Sequence, residues 1–84
     1  MTQLTETVDR HVGLIRASGH LTRLGADLLS GTVDTLLGGG HTRVTLDLRD
    51  LRAADDAGLA VLDDLRARVA VEGGELVLRH GPRD

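Results

Sequence analysis

The segment "RVTLDLRDL" at residues 43–51 is the feature that most limits how this chain can fold. Its apolar residues Val44, Leu46 and Leu48 alternate with polar or charged ones. Successive side chains of a strand point to opposite faces, so this alternation is typical of a strand with one buried side. The segment therefore predicts a β-strand that carries apolar side chains on one face and polar side chains on the other.

A helix is predicted before this strand, over residues 26–37. Its apolar residues recur at spacings of three, four and seven, although Gly31 weakens the helix. The three glycines Gly38, Gly39 and Gly40 end it. The predicted apolar stripe consists of Leu28, Leu29, Val33, Leu36 and Leu37.

A second helix is predicted after the strand, from near Ala57 or Gly58 to about Val71. Asp64 and Arg68 are spaced as an exposed ion pair one turn apart, with the acid first. Gly73 fits the left-handed position that follows a helix. The predicted buried stripe consists of Leu62, Leu65 and Val69, with Leu59 and Val61 at its edges.

Three further strands are predicted. Residues 12–18 form one that ends at Gly19, and residues 4–8 form a weaker one paired with it through the polar turn at residues 9–11. Glu75–Arg79 forms the last. Ile15, Ala17 and Val77 are expected on the sheet face opposite the helices, where an uncovered apolar face or edge would favour a homodimer.

The order of these elements predicts the fold class. Crossovers between parallel strands are right-handed, which places both helices on the same face of the sheet. We therefore expect an α/β fold, with a small mixed sheet of about four strands and two main helices on one face. A chain of 84 residues is expected to form a single domain over residues 1–84.

Composition argues against several classes of function. The chain has no aromatic residues and a net charge of -3, so it offers neither stacking platforms nor a basic surface for nucleic acid. It has no cysteine, no secretory signal pattern and no apolar run long enough to enter a bilayer. We expect a soluble, cytoplasmic protein that binds neither nucleic acid nor membrane.

The adjacent carboxylates Asp55 and Asp56 need an explanation, and three remain open. They are a cap of the second helix, an acidic loop that binds a partner, or a metal or acid-base pair. The third is disfavoured because adjacent side chains at a helix start rarely converge on one point. Four histidines lie near predicted turns and strand ends without the spacing of a metal site, so we expect no metal or cofactor. Those histidines are His11, His20, His41 and His80.

The strand "VTLDLRDL" followed by "RAADDAGLAVLDDLRARVAVEGGELVL" resembles the STAS domain family, whose small members are bacterial anti-sigma factor antagonists. Residues 55–59 resemble the family's Asp-Ser-Ser/Ala-Gly-Leu helix start, and Gly73 and Gly74 resemble its glycine pair. "ASGHLT" at residues 17–22 is similar to its Gly-x-Leu-Asp turn. The resemblance covers residues 8–81. It implies a non-catalytic regulator of transcription that binds a protein kinase and is phosphorylated on a serine at the second helix start.

The chain departs from this family pattern at the positions that matter most. Asp56 stands where the family has its phosphorylated serine, and Ala57 follows, so this loop has no hydroxyl. Thr22 replaces the acid of the earlier turn. The C-terminal helix that family members usually carry is expected to be absent. Phosphorylation at the usual position is therefore excluded.

These residues suggest a regulatory module that binds an anti-sigma factor with a kinase-type ATPase fold. The alternative is a structural accessory subunit of another complex, such as a transporter ATPase, since loss of the serine suits that role equally well. No catalytic residues are expected, and a homodimer is a further option. The expected partner-binding residues are Thr22, Arg23, Arg52, Asp55, Asp56, Ala57, Gly58 and Leu59.

Overall fold

The computed structural model describes residues 4–81, which form four strands and two helices. The order of strands and helices is the one that the sequence predicts. In chain order the elements are β1 (Thr5–Asp9), β2 (Leu14–Leu21), α1 (Arg23–Gly38), β3 (Arg43–Ala54), α2 (Asp56–Val71) and β4 (Glu75–Arg79).

The strands form one mixed sheet in the order β1-β2-β3-β4. β1 and β2 are an antiparallel hairpin, whereas β2, β3 and β4 are parallel neighbours. Each parallel pair is joined by a helix, and α1 and α2 contact each other as well as the sheet. The predicted α/β class, with a mixed four-stranded sheet and two helices, is confirmed.

The core between the helices and the sheet is entirely aliphatic, and no polar side chain is buried among residues 4–81. The buried stripe of α2 is confirmed, with Leu59 and Val61 half-buried at its edges. Burial of such side chains is the main favourable contribution to folding. The buried apolar residues are Ile15, Ala17, Leu21, Ala26, Leu29, Val33, Leu36, Val44, Leu46, Leu48, Leu62, Leu65, Val69 and Leu76.

The uncovered face of the sheet differs from the expectation. Ile15 and Ala17 are buried beneath the helices, because Ile15 lies opposite the buried Leu46 and shares its face. Val77 does lie on the other face, opposite Thr45. That face carries mostly polar and charged side chains in the described strands, so the expected apolar sheet face is wrong. A row across it consists of Arg16, Asp47 and Arg79 on three neighbouring strands.

Strand β2 does not end at Gly19 but continues to Leu21. The pairing of β2 with β3 shifts register between Gly19 and His20, and Gly19 has a φ of 98°. Because glycine adopts positive φ without a steric penalty, it allows an irregularity in the strand rather than ending it. The consequence is that Leu21 is fully buried and the chain enters α1 directly through Thr22.

Two side-chain predictions on the helices are wrong. Leu28 is 62% exposed, since it points away from the sheet next to the buried Leu29. Arg68 pairs not with Asp64 but with Asp34 of α1, at 3.1 Å, and with Glu72 one turn further along α2, at 3.6 Å. The bridge to Asp34 is available because α1 and α2 lie side by side. Gly73 has the predicted left-handed conformation, with a φ of 88°.

Candidate functional site

Both helices begin at the same end of the sheet, because each follows one of two parallel neighbouring strands. β2 leads through Thr22 into α1, and β3 leads through Asp55 into α2. A hydrogen bond of 2.9 Å from the Asp55 amide to the Leu21 carbonyl joins the two helix starts. We call the surface formed by residues 20–24 and 52–59 the helix-start surface. It contains all of the residues that the sequence analysis proposes for partner binding.

Gly58 allows the two helix starts to lie in contact. A Cβ atom at this position would lie 2.9 Å from the Thr22 carbonyl oxygen and 3.0 Å from the Thr22 carbonyl carbon. It would also lie 3.1 Å from Cγ of Leu21. Backbone atoms cannot rotate away as a flexible side chain can, so only glycine fits here without a shift of α2. Gly58 therefore determines how closely the start of α2 approaches the start of α1.

Thr22 is the N-cap of α1. Its Oγ1 accepts a hydrogen bond of 3.2 Å from the Gly25 amide, and its φ and ψ are extended, at -109° and 175°. The first amides of a helix have no partner within the helix, and a threonine oxygen at this position satisfies one of them. Thr22, which stands where the family pattern has an acid, therefore has a structural role as the cap of α1.

We expect Thr22→Ala to lower the free energy of unfolding by about 1 kcal/mol, because the Gly25 amide loses its acceptor. Thr22→Ser keeps the hydroxyl and is expected to retain most of the stability. Urea denaturation followed by circular dichroism measures both variants. Equal stability of Thr22→Ala and wild type would contradict the capping role.

Asp55 occupies the N-cap position of α2, but its side chain makes no capping hydrogen bond. Its Oδ1 instead lies 3.2 Å from Nε2 of His20, which is at the end of β2. Both side chains are about half exposed, so a bridge of this kind contributes little to stability. Asp55 therefore lies at the N-cap position that the capping interpretation predicts, but its side chain does not cap the helix. The contact with His20 holds the carboxylate towards β2.

Asp56 is the first residue of α2 and is exposed. A carboxylate in the first helical turn interacts favourably with the helix dipole, by about 0.3–1 kcal/mol. No ion pair engages Asp56 within residues 4–81, so its charge faces solvent. The two adjacent carboxylates thus differ in their surroundings, because Asp55 contacts His20 whereas Asp56 has no ion-pair partner among residues 4–81.

The first two turns of α1 carry two exposed apolar side chains that the sequence analysis did not propose for partner binding. Leu24 is 70% exposed and Leu28 is 62% exposed, one turn apart on α1. Arg23 lies beside Leu24 and is also exposed, as is Arg52 on β3. Leu28 and Leu29 are adjacent on a helix and point about 100° apart around its axis, so at most one of them lies at the centre of the buried face. That geometry was the available signal that one of them lies outside the core.

The helix-start surface offers charged and apolar side chains for contact with another molecule. Among residues 4–81, no group of three or more histidine, aspartate or glutamate side chains is arranged to hold a metal ion. His11 lies in the β1–β2 turn, before the start of β2 and away from the helix-start surface, and its amide donates a hydrogen bond to Asp9. His41 is at the opposite end of the sheet, where its Nε2 lies 2.7 Å from the Arg10 carbonyl oxygen. His20 is the one histidine that the described fold places on the helix-start surface.

A mixed four-stranded sheet with two helices on one face, and with both helix starts on one surface, defines an α/β domain of the STAS class. The family model described as "Mlab, STAS domain" matches residues 4–84, and the chain belongs to this family.

A solved structure supports the same fold. The antisigma-factor antagonist STAS domain from Rhodobacter sphaeroides superposes with a TM-score of 0.66 at 17% sequence identity. The match covers 95% of this chain and 87% of that one. A search of the curated proteins found no match. Neither helix in the described residues has the length and apolar character to cross a membrane.

Proposed function

We propose that this chain is a non-catalytic regulatory module that binds a protein partner through its helix-start surface, in the manner of an anti-sigma factor antagonist. The observation that carries this proposal is the exposed carboxylate of Asp56 at the start of α2, which no ion pair engages within residues 4–81. Leu24, in the first turn of α1, adds an exposed apolar side chain to the helix-start surface. Membership of the STAS family supports a regulatory role.

The proposed partner is an anti-sigma factor with a kinase-type ATPase fold, in the cytoplasm of a bacterium. The chain would bind it without being phosphorylated at the usual position, because Asp56 and Ala57 offer no hydroxyl. An aspartate carries one negative charge where a phosphoserine carries nearly two at neutral pH. Asp56 therefore imitates a phosphoserine only in part, and its negative charge does not depend on phosphorylation. Any switching must come from the partner.

A structural accessory subunit of another complex, such as a transporter ATPase, is the second candidate. The observation that favours it is the missing hydroxyl, since a subunit that is only a scaffold needs no phosphorylation site. The same helix-start surface would form the contact. The two candidates differ in the identity of the bound protein, which an affinity experiment determines.

We expect Asp56→Ser to change the amount of the specific partner captured from native lysate, because the substitution removes the open charge at the start of α2. Asp64→Ser is the matched control. It is the same substitution at an exposed residue of the same helix, about 12 Å further along its axis. Captured proteins are identified by mass spectrometry and rebound in purified form.

The outcomes separate the two candidates. A partner with a kinase-type ATPase fold supports the antagonist role, and its transfer of labelled phosphate from ATP to the Asp56→Ser variant would strengthen it. Recovery of a transporter ATPase without an anti-sigma factor decides for the accessory subunit. If Asp56→Ser, Asp55→Ala and Asp64→Ser all bind the purified partner as tightly as wild type does, the proposed surface is wrong.

A further inference from the structure

Strand β4 is an edge of the sheet, and its outer side has no neighbouring strand in the described part of the chain. The Glu75 amide donates a hydrogen bond of 2.9 Å to the Thr42 carbonyl, so the backbone groups of Glu75 face β3. Because these groups alternate along a strand, the amides and carbonyls of Leu76 and Leu78 point outwards from the sheet. β4 therefore presents two donors and two acceptors to any strand that comes alongside.

The sequence of β4 is complementary to itself in the antiparallel direction. When two copies of Glu75–Arg79 pair about Val77, Glu75 of each lies opposite Arg79 of the other. Leu76 then lies opposite Leu78, and the two Val77 side chains face each other. Cross-strand pairs of opposite charge and of apolar residues both stabilise a sheet. The outward backbone groups of Leu76 and Leu78 would exchange four hydrogen bonds in this register.

We propose that β4 is a homodimerisation edge, at which a second copy of this chain adds its own β4 in antiparallel register. The contact is isologous, as a two-fold dimer requires. Its axis is perpendicular to the sheet, so the helices of both copies lie on the same side of one continuous sheet. This surface is independent of the helix-start surface and does not rest on the function proposed above.

The charges at the two edges select β4 over β1. β1 contains the acids Glu6 and Asp9 and no basic residue. Two copies of β1 paired about Thr7 would place Asp9 opposite Thr5 and Glu6 opposite Val8, so no acid would meet a base. At β4 each acid meets a base. Glu75 already lies 3.4 Å from Arg43 on β3, and a carboxylate has acceptor capacity for a second guanidinium.

The geometry leaves the helix-start surface of each copy free. β4 pairs with residues 43–47 of β3, whereas the helix-start surface begins near the far end of that strand. The two regions are about 20 Å apart at the rise of a β-strand. Antiparallel pairing places the two helix-start surfaces at opposite ends of the dimer. The dimer would therefore present two identical partner-binding surfaces.

A cysteine cross-link tests the register directly, because the chain has no cysteine of its own. In the proposed dimer the two Val77 side chains form a pair that is not hydrogen-bonded, where Cβ atoms approach to about 4.5–5.5 Å, close to disulfide geometry. Val77→Cys is expected to form a disulfide-linked dimer under mild oxidation. Thr7→Cys, at the centre of β1, is the control and is expected to remain monomeric.

Charge reversal tests the self-complementarity. Arg79→Glu and Glu75→Arg each place like charges opposite each other, and each is expected to weaken dimerisation about tenfold or more. Both residues are exposed, and circular dichroism checks that the variants fold. An equimolar mixture of the two variants restores every Glu–Arg pair, so sedimentation should show a heterodimer.

A mixture of Arg79→Glu and Glu75→Arg that stays monomeric, where wild type dimerises, would overturn the proposal. So would a wild type that is monomeric throughout a concentration series reaching millimolar. Equal cross-linking of Val77→Cys and Thr7→Cys would overturn the assigned edge. Unchanged binding of a partner at the helix-start surface has no bearing on these results, so the two proposals fail separately.

Discussion

Replacing Leu29 with alanine is expected to lower the free energy of unfolding by about 2–5 kcal/mol. Leu29 is 0% exposed and lies between α1 and the sheet in a core without aromatic or polar side chains. The substitution removes apolar contacts and leaves a cavity that the aliphatic neighbours fill only in part. A chain of this length is expected to be stable by about 4–13 kcal/mol, so the loss is a large fraction of the total.

Urea denaturation followed by circular dichroism measures this effect, and Leu28→Ala provides the matched control. The two leucines are adjacent on the same helix, but Leu28 is 62% exposed. We expect Leu28→Ala to change stability by about 0.5 kcal/mol or less. Equal loss of stability in the two variants would contradict the orientation of α1.

Replacing Gly58 with alanine is the second substitution with a large expected effect. The added Cβ would lie 2.9 Å from the Thr22 carbonyl oxygen, so α2 must move away from the start of α1. Overpacking of this kind costs about 1–3 kcal/mol, and the better helix propensity of alanine offsets about 0.5–1 kcal/mol of it. We expect a net loss of stability together with weaker partner binding, since the two helix starts change their spacing.

Gly31→Ala is the control for Gly58→Ala, because both glycines lie in helices. A Cβ at Gly31 would meet nothing within 4 Å. We expect Gly31→Ala to raise the free energy of unfolding by about 0.5–1 kcal/mol. The two substitutions should therefore have opposite signs in thermal or urea unfolding. A stabilising Gly58→Ala would show that the close contact with Thr22 does not restrict the fold.

The sequence predicts most of the secondary structure because burial imposes a period on it. The alternation over residues 43–51 and the helical stripe ending in Val69 both arise from contact with one apolar layer. The last strand, Glu75–Arg79, is found with the predicted bounds. In these segments the spacing of the buried residues is sufficient to distinguish a strand from a helix.

What sequence reasoning missed depends on the pairing of strands. The face of Ile15 is fixed by its register opposite Leu46, and the local pattern of residues 12–18 does not contain that register. The continuation of β2 beyond Gly19 likewise depends on a register shift against β3. A glycine inside a strand often marks a bulge rather than a strand end, and Gly19 lies at such an irregularity in β2.

The position of Asp55 and Asp56 in the fold was predictable from the sequence, but their contacts were not. The motif at residues 55–59 places the carboxylates at the start of α2, as the structure has them. The contact between Asp55 and His20 joins residues 35 positions apart and follows only from the parallel pairing of β2 and β3. Exposure of Leu24 requires knowing that α1 begins at Arg23, one turn earlier than its apolar stripe predicts.

The central claim is that the open charge of Asp56 belongs to a protein contact surface, and the affinity of the purified partner tests it most directly. Asp56→Arg and Asp64→Arg make the same charge reversal at two exposed positions of α2. We expect the dissociation constant to rise about tenfold or more for Asp56→Arg and to stay within about twofold for Asp64→Arg. Equal constants for Asp56→Arg, Asp64→Arg and wild type would contradict the assignment of this surface.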